Sequence, residues 1–131
     1  KVIGIVAVAD ILKETSPEAI QKIKELGIEV YMLTGDNHIT AEYIGKQAGV
    51  DHVIAEVLPN DKAFVVENLQ KEGKCVMMVG DGINDISAFH KADYAVLTLE
   101  QKGRRPDILF NAADLVIEDI REVISIAERF V

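Results

Sequence analysis

At 131 residues and 49% hydrophobic content, the chain is long enough for one domain with a genuine core. Its 14 basic and 22 acidic side chains give a net charge of −8, which argues against a nucleic-acid backbone as a partner. A single cysteine, Cys75, excludes an internal disulfide framework, and no apolar stretch approaches the ~20 residues that span a bilayer.

The N-terminus lacks a signal-peptide layout, so the chain is expected to be soluble. With 5% aromatic residues and no Trp, the core must be built from Val, Ile, Leu and Ala, which suits stacked βα units. Val2 to Ala9 is almost wholly apolar and reads as a buried strand ending at Asp10. Ser16-Pro17 is a helix start, with Ser as cap and Pro at the first position, and Gly27 stops that helix after Leu26. Ile28 to Leu33 is the next strand and leads into Thr34-Gly35-Asp36. A helix over His38 to Ala48 ends at Gly49, and Val53 to Ala55 is a short strand. Pro59 opens a helix to about Lys71, with Lys62 in its first turn. Val76 to Val79 is a buried strand, and Ile86 to Phe89 opens a helix. Strands at Asp93 to Leu97 and Ala112 to Ile117 follow, then an amphipathic helix from Asp119 to Val131. The order predicts an α/β fold, Rossmann-like, with a mostly parallel sheet flanked by helices, as one domain over residues 1–131.

Between the Val76 strand and the Ile86 helix lies Gly80-Asp81-Gly82-Ile83-Asn84-Asp85. Two carboxylates and an amide in one turn at the carboxyl end of a strand suit a divalent cation such as Mg²⁺. Asp10, the Thr34 to Asp36 segment and this turn all fall at strand ends, and in a parallel sheet such ends share one edge. With Lys62 they supply what phosphoryl transfer needs: a cation site, a hydroxyl, backbone donors and a lysine. His38, His52 and His90 lack zinc spacing and read as surface or loop residues. Met77 and Met78 read as core, and so does Cys75. Glu100 to Pro106 reads as an exposed, locally basic loop.

The chain resembles the second part of the phosphorylation domain of P-type ATPases, which has the haloacid-dehalogenase fold. Four blocks carry the likeness: Gly4-Ile5-Val6-Ala7-Val8-Ala9-Asp10, Met32-Leu33-Thr34-Gly35-Asp36-Asn37, Ala55-Glu56-Val57-Leu58-Pro59-Asn60-Asp61-Lys62 and Val79 to Asp85. The first and third are closest in wording to the heavy-metal branch. The resemblance implies that Asp81 binds Mg²⁺, with Asp85 and Asn84 orienting that site. It implies that Thr34 contacts the transferred phosphoryl group and that Lys62 neutralises its charge. Asp36 and Asp10 would then sit toward the nucleotide side or the hinge, and Gly35 joins them among the implied cofactor-binding residues. ATP and Mg²⁺ are the implied ligands. The implied partners are the parent's nucleophile segment, nucleotide-binding domain and membrane helices, with this part on the cytoplasmic side.

The sequence departs from that pattern twice. It has no D-K-T-G-T segment, whose Asp is the family's nucleophile, so the isolated chain is expected to be inactive. The turn is followed by Ile86-Ser87-Ala88-Phe89 in place of Ala-Pro-Ala-Leu, and Thr98 through Pro106 stands where the family has a Gly-rich loop. Two alternatives share the fold. One is a free-standing phosphatase with Asp10 as nucleophile, although Leu12 stands where such enzymes carry a second Asp. The other is a non-catalytic regulatory module.

Overall fold

The computed structural model describes residues 4–9, 16–80, 86–98, 111–118 and 122–130. Among these, six strands form one sheet: β1 (Gly4–Ala9), β2 (Glu29–Leu33), β3 (His52–Ile54), β4 (Cys75–Gly80), β5 (Tyr94–Thr98) and β6 (Leu115–Ile117). Their order is β3-β2-β1-β4-β5-β6, and every neighbouring pair is parallel. The α-helices of six residues or more among the described residues are α1 (Ser16–Glu25), α2 (His38–Ala48), α3 (Lys62–Lys71), α4 (Ile86–Lys91) and α5 (Glu122–Ala127).

The side-chain alternation of the strands divides the core into two layers. Val30, Met77, Val79, Val96 and Ile117 pack with Ala19, Ile20 and Ile23 of α1, Ala48 of α2, and Val123 and Ile126 of α5. The opposite register of the same strands, Tyr31, Leu33, Val76, Met78, Ala95 and Leu97, packs with Val66 and Leu69 of α3 and Ala88 and Phe89 of α4. The sheet is therefore covered on both faces, which is why its strands read as unbroken apolar runs. The chain leaves β1 for α1 on one face and leaves β4 for α4 on the other. The order consequently reverses between β1 and β4, where a parallel sheet opens a crevice at its carboxyl edge.

At the amino edge, one device occurs three times. Asp51, Asp93 and Asp114 each stand just before an outer strand, β3, β5 and β6. Each donates its N–H to a carbonyl on the neighbouring inner strand: Val30 at 2.9 Å, Val76 at 3.0 Å and Ala95 at 2.8 Å. Each carboxylate then accepts the N–H of that same residue, at 2.9, 2.8 and 2.7 Å respectively. A closed pair of bonds at the first rung fixes the register of the ladder above it. Gln70 on α3 adds a bond to Asp93 at 3.2 Å and one to the Lys91 carbonyl at 2.7 Å.

Element boundaries shift in physically readable ways. α2 spans the expected residues: Asn37 Oδ1 accepts the Thr40 N–H at 2.9 Å, and Gly49 closes the helix at φ 82°. Pro59 opens a 3₁₀ turn over Pro59–Asp61 rather than the α-helix, so Lys62 is the first α-helical residue of α3. β6 begins at Leu115, not Ala112, because the Asp114 pair sets its first rung. Gly80 belongs to β4 and is buried. Cys75, expected in the core, is only half-buried because it is the first residue of β4; burial, then the nearby Asp93, raise its thiol pKa. A raised pKa leaves little thiolate for nucleophilic work. His38, His52 and His90 are exposed as expected, and Met77 and Met78 are buried. His52 stacks on Tyr31 with ring centroids 4.4 Å apart and meets Glu29 at 3.0 Å. Residues 2–3 of the first expected strand, 100–106 of the expected basic loop, and 119–121 and 131 of the expected last helix lie outside the described residues.

α2 packs closely on β3 through Gly45. A Cβ there would overlap Val53 Cγ2 and lie 3.2 Å from Val50 Cγ2. Gly45→Ala gains about 1 kcal/mol in helix propensity but meets two stiff β-branched side chains. Overpacking of this kind costs about 1–3 kcal/mol. The expected net result is a lower urea midpoint at unchanged m, and a raised midpoint would disprove the tight packing.

Candidate active site

β1, β2 and β4 end level with one another, since Ala9 stands opposite Leu33 and Val8 opposite Val79. The carboxyl ends of these three strands therefore lie side by side at one edge of the sheet. Thr34 follows β2 directly and is 2% exposed, while Gly35 and Asp36 are exposed. The Thr34 N–H donates to the Ile54 carbonyl at 3.1 Å, and its carbonyl accepts from the Val57 N–H at 3.0 Å. Its hydroxyl oxygen accepts the Asp36 N–H at 3.1 Å. With the lone pair so used, the hydroxyl proton can be directed at an incoming oxygen.

Residues 55–58 form a strap beside this turn. Glu56 donates its N–H to the Asp36 carbonyl at 2.9 Å and accepts the His38 N–H on its carboxylate at 3.2 Å. The strap continues through Leu58 and the 3₁₀ turn to Lys62, which is 3% exposed. Lysine is almost never this buried unless its ammonium is engaged, and Lys62 does have a partner. The expected pair of phosphate-contacting groups, Thr34 and Lys62, are thus both buried polar residues among the described ones. Thr98, at the end of β5, is buried at the same edge and is also engaged.

Asp10, Asp81, Asn84 and Asp85 lie outside the described residues. Among the described residues, no group of three or more His, Cys, Asp or Glu is placed to hold a metal ion. Likewise, none of their helices is long and apolar enough to cross a membrane.

Sequence reasoning passed over Glu56, although it lies inside a recognised block. Nothing local announces that a glutamate will take a left-handed backbone and bond to a helix eighteen residues earlier. The N-cap role of Asn37 was legible in principle, as an Asn just before an apolar-periodic run.

The sequence profile of the haloacid dehalogenase-like hydrolases matches residues 1–93. A copper-exporting P-type ATPase of Bacillus subtilis (strain 168) is 49% identical over 114 residues, 87% of this chain and 14% of that protein. The chain thus spans about one-seventh of the length of the curated relatives it matches. Among solved structures, a zinc-transporting PIB-type ATPase superimposes with a TM-score of 0.78 at 30% identity, over 92% of this chain and 19% of that one. Phosphoserine phosphatase in its apo form gives a TM-score of 0.69 at 27% identity, over 83% of this chain and 64% of that one. A parallel sheet with its order reversed between β1 and β4, a buried Thr and Lys at the carboxyl edge, and these likenesses agree: the chain belongs to the haloacid dehalogenase-like hydrolases.

Proposed function

We propose that the chain is the phosphate- and Mg²⁺-binding part of the phosphorylation domain of an ATP-driven heavy-metal cation pump, with residues 1–131 forming one domain. The observation that carries this reading is the burial of Thr34 and Lys62 at one sheet edge, tied to a single strap. The 49% likeness to a copper exporter supports a pump as the parent and copper as its cargo.

In this reading the Thr34 hydroxyl donates to an oxygen of the transferred phosphoryl group. The Gly35 backbone lets that group approach, and the Lys62 ammonium offsets its charge. Asp36, exposed in the turn after β2, and Asp10 would serve the nucleotide side or the hinge. Asp81 and Asp85 offer the hard carboxylate oxygens that Mg²⁺ takes, with Asn84 orienting them. When bound, Mg²⁺ supplies neutralisation of the phosphoryl oxygens. The accepting aspartate belongs to a D-K-T-G-T segment, which this sequence does not contain, and ATP is delivered by the parent's nucleotide-binding domain.

Incubated with Mg²⁺ and radiolabelled ATP, this chain should form no acid-stable phosphoenzyme, whereas a parent carrying it should form one that hydroxylamine removes. Acid-stable label on this chain alone would sink the proposal. The likeness to phosphoserine phosphatase favours a second reading, a free-standing phosphatase with Asp10 as nucleophile. Robust phosphomonoester hydrolysis by the chain, abolished by Asp10→Asn, would establish that reading instead.

A further inference from the structure

Glu56 is the one non-glycine residue with a positive φ, 57°, among the described residues. L-residues other than Asn or Asp seldom adopt that backbone, and it persists where the surroundings over-determine it. Here the surroundings are the turn after β2. Three bonds leave two adjacent residues of the strap for that turn and the start of α2: Glu56 N–H to Asp36 O, Val57 N–H to Thr34 O, and His38 N–H to the Glu56 carboxylate. α2 already has an N-cap in Asn37, so capping alone does not account for Glu56. Six residues after Glu56, with only Leu58 and one 3₁₀ turn beyond Val57, comes Lys62.

We propose that Glu56 is a positioning residue of the phosphate site: its left-handed backbone and its carboxylate lock the strap to the Thr34 turn, and thereby set Lys62 relative to Thr34. The inference rests on the reading of Thr34 and Lys62 as phosphate contacts. Two groups on separate elements grip one anion well only when their spacing is held by supporting residues. Without the Glu56 lock, Thr34 would stay at the end of β2 while Lys62 moved with the strap.

The test is titration of the chain with inorganic phosphate in the presence of Mg²⁺, followed by NMR at the Thr34 and Asp36 amides and the Lys62 side chain. Glu56→Ala should weaken phosphate binding by about tenfold, the scale seen when a supporting partner is lost. Glu56→Gln keeps an oxygen acceptor for the His38 N–H and should remain within about threefold of the parent chain. Glu56→Gly relieves the backbone but lacks the carboxylate, so it should bind as weakly as Glu56→Ala. If Glu56→Ala does not fold, the Gln and Gly pair decides the question. Phosphate binding by Glu56→Gly and Glu56→Ala as tight as in the parent chain, with Thr34 and Lys62 responding together, would overturn the inference. Failure of the underlying reading looks different. It would appear in the unsubstituted chain as phosphate binding that leaves Thr34 and Lys62 unmoved, or that survives Lys62→Met undiminished.

Discussion

Lys62→Met, placed in a pump that carries this segment, should slow phosphoenzyme formation from Mg-ATP by about 10²–10³-fold, or roughly 3–4 kcal/mol of transition-state stabilisation. Methionine keeps the unbranched stem that fills this buried position and removes only the charge. A lysine that meets the phosphoryl group chiefly as negative charge develops affects the rate rather than nucleotide binding. KM for ATP should therefore change by less than about threefold. Lys62→Arg should not restore the rate, because a planar guanidinium cannot take the place of a compact ammonium where 3% of the residue is exposed. Rapid-quench measurement of the acid-stable intermediate decides the matter. A rate within tenfold of the unsubstituted pump would remove Lys62 from the chemistry.

The second large effect belongs to the amino edge. Asp93→Ala strips the Val76 N–H of its acceptor, and Val76 is fully buried. An orphaned buried donor costs about 1–3 kcal/mol. For a domain of this length that is a fall in melting temperature of about 3–4 °C per kcal/mol. Asp93→Asn retains an oxygen acceptor and should lose about half as much. Glu42→Ala, on the exposed face of α2, is the control and should stay within about 0.5 kcal/mol. Equal melting temperatures for Asp93→Ala and Glu42→Ala would show that the Asp93 pair does not hold the ladder.

Much of the sheet was legible because strands buried on both faces leave continuous apolar runs, such as Val76 to Val79. Both ends of α2 were legible because Gly49, and in principle Asn37, act on their own immediate neighbours. What escaped depends on partners distant in sequence. Asp93 read as the first residue of a strand, yet its structural work is a bond to a residue seventeen positions earlier. The 3₁₀ turn at Pro59 escaped because the φ that proline imposes suits both helix types. In the candidate site, Thr34 and Lys62 were legible as residue types at suggestive places. Their shared burial, and the strap that joins them, were not, since no local pattern specifies the backbone of Glu56.

The three Asp pairs have a consequence for how such a chain can change over generations. Register is held at the amino edge, and the chemistry proposed here sits at the carboxyl edge. Five-residue strands separate the two by roughly 15 Å. Substitutions that retune the reactive edge can then accumulate without loosening strand alignment, and drift in stability can be repaired without touching the reactive edge. A sheet divided in this way is one on which new specificities can be tried at low risk to the fold.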